Sequence, residues 1–270
     1  MIIAKTSKDL DRMREVGELV ADVRETLRSM IKPGITTLEL NATAEKMMRD
    51  AGAIPTFIGY KPSGMTPYPF AICASVNEQV VHGFSNATPL KNGDIISIDM
   101  AATLNGFVGD TATTVPVGEV TDEIKQLIEV TEQCLAKGIE QCFPNKRVGD
   151  IGWAVQEHAE KFGYGIVRNY TGHGIGRSLH ESPQIPNYGR PGTKEKIRAG
   201  YVFAIEPMLN LGSYETKTLK DKWTVVTSDG KPSAHCEHTV AITATGPEIL
   251  TLTKKQKALL NKPKLETVAA

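Results

Sequence analysis

The chain has 270 residues, with 31 Lys plus Arg against 31 Asp plus Glu, and a net charge of zero disfavours nucleic acid as the main partner. Hydrophobic residues at 40% and charged residues at 23% suit a packed globule and exclude disorder. No apolar run approaches the roughly 20 residues of a membrane helix, and Met1-Ile2-Ile3-Ala4-Lys5 does not match a secretory signal.

Residues 7–31 carry Leu10, Met13, Val16, Val20, Val23, Leu27 and Met30 at spacings of three and four, the pattern of an amphipathic helix. Pro33-Gly34 stops it. Thr36 with Glu39 forms a capping box for a second helix bearing Leu40, Ala44, Met47 and Ala51, ended by Gly52. A Pro-, Gly- and Tyr-rich stretch, 54–70, precedes strand-like runs at 71–82, 94–103 and 110–117. The order then repeats. Residues 122–141 predict a helix with Ile124, Leu127, Ile128, Cys134, Leu135 and Ile139 on one side, and Pro144 breaks it. Asp150 caps a further helix with the stripe Ile151, Val155, Ala159 and Phe162, ended by Gly163. Strand-like runs follow at 164–170, 201–206, 223–227 and 236–243.

Pro33 and Pro144 lie 111 residues apart, as do Gly52 and Gly163, and 93–99 aligns with 200–206 at an offset of 107. One unit of two helices plus an antiparallel sheet therefore occurs twice, at about 7–117 and 122–245. Two such halves are expected to bury their sheets together in a single α+β domain, 1–253, with helices outside. A basic tail, 254–270, is expected to be flexible. Cys73, Cys134, Cys142 and Cys236 form no Cys-x-x-Cys pair and suit a reducing compartment, so a cytoplasmic location is expected. The Asn-x-Thr sequons at Asn41, Asn86 and Asn169 then read as chance matches.

The repeat puts an acid at the end of a matching apolar strand in each half, Asp99 and Glu206. Each half adds a second acid, Asp110 in Gly109-Asp110-Thr111 and Glu237 in Cys236-Glu237-His238. Taken singly, a strand Asp reads as a salt-bridge or turn residue, and His173 as a structural histidine. His158 and His238 keep that reading, because His158 lies on a helix and His238 points away from Glu237's face. Taken together, four carboxylates at a pseudo-twofold axis cannot all ionise alone. Two divalent cations would cancel the charge. With His173 they make a mostly oxygen, one-nitrogen set suited to Mn, Co, Fe or Zn.

The segment Tyr170-Thr171-Gly172-His173 through His180, ending Ile185-Pro186-Asn187-Tyr188, resembles the signature of type I methionine aminopeptidases. The resemblance spans roughly 5–250. It implies the pita-bread α+β fold, with two pseudo-symmetric halves, a central antiparallel sheet and helices on the outside. It implies a dimetal methionyl aminopeptidase that removes the initiator methionine from nascent proteins whose second residue is small. The metal ligands would be Asp99, Asp110, His173, Glu206 and Glu237, and the substrate histidines His82 and His180. The methionine pocket would fall on Tyr60, Tyr68, Cys73 and Trp223. Phe57 stands where bacterial relatives usually carry cysteine, Leu179 where they carry an aromatic, and 61–67 is a few residues longer than usual. Phe57 would narrow the pocket. Glu206, at a strand end before Pro207, is preferred as proton shuttle over Glu237, which is expected mid-strand.

Two other readings compete within the fold. A proline-specific peptidase would carry a sizeable extra N-terminal domain, and a non-catalytic peptide- or ribosome-binding protein would have lost ligands. A mononuclear iron oxygenase needs two ligating histidines and is disfavoured by four acids. The resemblance suggests a monomer acting on nascent chains, without DNA or membrane. Lys254, Lys255, Lys257, Lys262 and Lys264 could touch ribosomal RNA, although their composition favours a solvated tail.

Overall fold

A computed structural model describes residues 2–260, so Lys262, Lys264 and the rest of the expected tail from 261 onward lie outside the described residues. Helix α1 (Ser7–Met30) opens with a capping box between Thr6 and Asp9 and buries Met13, Val16, Val20, Val23 and Leu27. Helix α2 (Thr37–Asp50) opens with the Thr36–Glu39 box. Short strands β1 (Ile54–Pro55), β2 (Ile72–Val76) and β3 (Gln79–Val81) lead to a long hairpin, β4 (Ile95–Leu104) and β5 (Phe107–Pro116). The second half starts with α3 (Asp122–Ile139) and α4 (Val148–Glu160). Strands β6 (Gly165–Ile166), β7 (Gly172–Gly174), β8 (Glu181–Ile185), β9 (Val202–Ile205) and β10 (Met208–Asn210) follow. The rest comprises β11 (Thr216–Thr218), β12 (Val225–Thr227), β13 (Ser233–His235), β14 (Glu237–Thr243), β15 (Gly246–Ile249) and α5 (Lys254–Leu260).

Nine strands form one antiparallel sheet in the order β1-β4-β5-β14-β9-β7-β8, with β2 also on β4 and β15 on β14. The two halves join where β5 meets β14, with Ala112 opposite Glu237 and Thr111 opposite His238. Threonines lock this seam. Thr111 Oγ1 donates to Glu237 O at 2.9 Å, Thr239 Oγ1 to Asp110 O at 2.7 Å and Thr114 Oγ1 to His235 O at 2.8 Å. Helix α1 packs on β4 and β5, and α3 packs on α4, so one sheet face is covered by helices. Buried Arg24 of α1 reaches that face, donating to Thr111 Oγ1 at 2.6 Å. All four cysteines are free and buried. Among the described residues no helix is long and apolar enough to cross a membrane.

Several local expectations differ from the structure. The run 71–82 breaks into two strands because Asn77 turns the chain with φ 54°, and 164–170 keeps only Gly165–Ile166 as strand. Phe162 falls outside α4 and is exposed. Asp150 caps α4 from its third position, accepting from the Arg147 backbone N–H at 2.7 Å. Lys254–Leu260, inside the span expected as a flexible tail, are helical, and Lys254 and Lys257 pair with Glu18 at 3.1 and 3.6 Å.

The seating of α1 depends on Gly17, where any Cβ would meet the Leu250 carbonyl oxygen at 2.6 Å. Gly17→Ala gains about 1 kcal/mol of helix propensity but forces an overpacked contact that costs about 1–3 kcal/mol. A lower urea midpoint with an unchanged m value is expected. A raised midpoint would show that the helix can slide without penalty.

Candidate metal centre

The register of the sheet brings the singled-out acids together. Asp99 of β4 lies opposite Ala112 of β5, and Ala112 lies opposite Glu237, so both acids project to the same face. Asp110 sits two residues before Ala112 and shares that face. In the other half His173 of β7 lies opposite Ala204 of β9, which lies opposite Thr239. Thr239 and Glu237 are two apart on β14, and Glu206 is two beyond Ala204, so all five side chains meet on one side of the sheet. His238 alternates to the other side, where Nδ1 contacts Thr251 Oγ1 at 2.8 Å. Close backbone approach is needed around His173. A Cβ on Gly172 would collide with the Ala204 carbonyl oxygen, and one on Gly174 with that of Ser182.

Ligand atoms of Asp110, His173 and Glu237 lie within 4.8 Å of one another. His173 Nε2 stands 3.8 Å from Asp110 Oδ2 and 3.5 Å from Glu206 Oε1. The other ring nitrogen, Nδ1, is 3.0 Å from the Gly174 carbonyl oxygen. A carbonyl only accepts, so Nδ1 carries the proton and Nε2 presents a lone pair to the carboxylates. Asp99 Oδ1, Asp110 Oδ1 and Glu237 Oε1 are buried without hydrogen-bond partners among the described residues. Burial pushes the Asp99 carboxyl up to about 7. Asp110, Glu206 and Glu237 are raised well above the ordinary range, first by burial and then by the charge of neighbouring carboxylates, Asp99 acting on all three. Orphaned oxygens and a histidine lone pair converging in a buried space fit divalent cations.

Beside this cluster lies an apolar cavity whose walls include Phe57, Tyr60, Tyr68, Cys73, Leu179 and Trp223. Tyr68 is its hub. Its hydroxyl donates to Gly83 O at 2.8 Å, and its ring meets Trp223 edge-on at 5.1 Å and Phe57 at 6.3 Å. Phe57 thus occupies a wall position, and Leu179 is buried beside it. The stretch 61–67 is tied at its base by Gly59 N–H to Tyr68 O and Tyr68 N–H to Tyr60 O. Trp223 Nε1 donates to Thr66 O at 3.0 Å, fixing that loop as a wall.

His82 and His180 flank the opening. His82 has φ 60°, a strained left-handed geometry of the kind that collects at functional sites. Burial, then the nearby His180, lowers its imidazole to about 4. The His180 ring lies 4.3 Å from that of His173, and its Nδ1 is 2.5 Å from the Tyr60 hydroxyl. Tyr60 therefore does more than line the pocket. Glu237 is the first residue of β14 instead of lying mid-strand, because the chain breaks pairing at Cys236 between β13 and β14. The sequence reading missed His235, which is buried, lines the opening and faces Glu206. Its position two residues before Glu237 was the available signal.

Residues 11–244 match Metallopeptidase family M24. A methionine aminopeptidase 1 of Bacillus subtilis is 51% identical over 93% of this chain and 99% of its own length. A methionine aminopeptidase of Clostridium perfringens is 48% identical over 94% of this chain and 100% of its own. The crystal structure of methionine aminopeptidase from Rickettsia prowazekii superposes with a TM-score of 0.90 at 45% identity, covering 93% of this chain and 100% of that one.

The electrostatics predict a pH signature. Burial lowers His173 to about 3 and His82 to about 4, so these groups add stability as pH rises to about 6.5, the unfolded imidazole value. Above that the raised carboxylates dominate. The folded chain keeps protons that the unfolded chain has released, so metal-free stability falls with further rise in pH. Thermal melting of chelated protein between about pH 6.5 and 8.5 should show a falling Tm, and added divalent cations should flatten the profile. A flat profile in the chelated protein would contradict this account.

Proposed function

The chain belongs to metallopeptidase family M24, and on that premise we propose that it removes the initiator methionine from new chains whose second residue is small. The observation that carries the proposal is one cavity holding both the acid–histidine cluster and a narrow aromatic pocket. A metallopeptidase of this family uses divalent metal. Our reading is two ions among Co, Mn, Fe and Zn, held by Asp99, Asp110, His173, Glu206 and Glu237. Four carboxylates against two divalent charges support that number.

When bound, such ions polarise the scissile carbonyl and bring a water's pKa towards neutrality. Glu206 takes the proton from the attacking water. Its side chain follows β9 at a strand end and is more exposed than that of Asp110, at 14% against 5%. It later returns the proton to the leaving amine. The Tyr60 hydroxyl at Nδ1 of His180 orients that ring, leaving Nε2 for the carbonyl oxygen as charge develops there. His82, held edge-on between Tyr170 and Trp223 at 5.6 and 5.9 Å, orients the peptide backbone. Phe57, Tyr68, Cys73 and Trp223 receive an unbranched thioether better than a branched or charged side chain.

We read the chain as a cytoplasmic monomer that meets nascent chains. The pairing of Lys254 and Lys257 with Glu18 ties two of the five tail lysines to α1, which weakens the reading of that segment as a contact for ribosomal RNA. The relatives' names favour methionine over the proline-specific alternative.

Cleavage of Met-Ala-Ser by the metal-loaded chain, with Met-Leu-Ser and an Ala-Pro peptide as controls, tests the proposal. Rapid cleavage of the first alone is expected, and preferential release at Ala-Pro would overturn it. Glu206→Gln should keep bound metal, because the amide oxygen still coordinates, yet lose about 10²–10⁴ in kcat. Near-normal single-turnover chemistry at full metal occupancy would move the base elsewhere.

A further inference from the structure

His235 takes no part in the reaction drawn above, yet its setting is costly. It closes β13, is 2% exposed, and its Nε2 has no hydrogen-bond partner among the described residues. Leaving a buried polar atom unpaired is unfavourable, and such atoms in a folded chain call for an explanation. The backbone on which it sits is fixed from both sides by one side chain. Its N–H donates to Thr114 Oγ1 at 2.8 Å, and its carbonyl accepts from the same hydroxyl at 2.8 Å. The backbone is therefore tied across the seam between the halves, and the ring it carries has Nε2 3.9 Å from Glu206 Oε2. The opposite oxygen, Oε1, lies 3.5 Å from His173 Nε2. Glu206 thus spans two histidines, one oxygen towards each. His173 spends its proton on Gly174 and offers Glu206 only a lone pair. Of these two histidines, His235 is the one free to offer a donor.

We propose that His235 is a positioning residue for Glu206, donating Nε2–H to Oε2 and so holding Oε1 towards Asp110 and His173. A movement of about 1 Å by the carboxylate brings the pair to hydrogen-bond distance. Oε2 has two lone pairs, so it accepts from His235 and still takes a proton from water. The same contact aligns Glu206 as a ligand, which is how partners behind metal-binding side chains act. The inference rests on the reading of Glu206 as ligand and base.

Calorimetric titration of the metal-free chain with Co²⁺, alongside kcat and KM for Met-Ala-Ser, tests it in His235→Ala and His235→Gln. The amide of glutamine restores a donor from the same backbone position. His235→Ala should weaken Co²⁺ binding and lower kcat by about 10- to 100-fold each, with the number of ions bound unchanged and KM within about twofold of wild type. His235→Gln should recover most of both losses. Circular dichroism melting checks that each variant folds. Should the alanine variant unfold, His235→Leu takes its place against His235→Gln. Unaltered affinity and kcat in the variant without a donor, equal losses in both variants, or the loss of one bound ion would overturn the proposal. Failure of the wild-type chain to take up Co²⁺ would instead overturn the reading of the metal centre itself.

Discussion

Four carboxylates facing one another from two halves of a single sheet are the constraint around which this molecule is arranged. Burial raises the cost of every charge there, and each acid raises it further for its neighbours. Hydrogen bonds from the protein would be the ordinary remedy, yet three of the carboxylate oxygens have no donor and His173 turns a lone pair inward. A chain can hold such a cluster only if cations or protons occupy it. Protons satisfy it at low pH and divalent cations at neutral pH, so folding, pH and metal are one linked equilibrium.

The rest of the fold keeps those acids in register. The β5–β14 seam carries Ala112 opposite Glu237, and threonine hydroxyls on both strands bond across it to backbone carbonyls. A slip of one residue would send Asp110 and Glu237 to the helix-covered face, where Arg24 and His238 already sit. Close packing then limits the remaining freedom. Gly17 lets α1 press against the Leu250 backbone, and Gly172 and Gly174 let β7 lie between its neighbours. The aromatic pocket is built on the same frame. Tyr68 bonds the Gly83 carbonyl just after His82, which ties the pocket wall to the strained histidine.

Much of this was legible from the amino acids because it rests on local patterns. The stripe from Met13 to Leu27 and the Thr36–Glu39 box are properties of neighbouring residues, and each has its counterpart in α1 and α2. The aligned halves also make Asp99 and Glu206 equivalent positions, and their side chains share a face with Asp110, His173 and Glu237. What stayed illegible depends on distant partners. Strand ends are set by pairing, so Cys236 leaves the ladder and Glu237 begins a strand, and 164–170 keeps only two paired residues. His235 was hidden for the same reason, since it lies one residue outside the run read as a strand. The bond from Tyr60 to His180 joins one loop to the bend before β8, 120 residues away, and nothing local announces it.

The most direct measurement of the central claim is anomalous diffraction from crystals of this chain grown with Mn²⁺ and measured with suitably long-wavelength X-rays. Two strong peaks enclosed by Asp99, Asp110, His173, Glu206 and Glu237 are the result expected of a cluster whose charge is balanced by cations. Well-ordered crystals with no peak among these side chains, or with manganese bound only elsewhere on the surface, would contradict it.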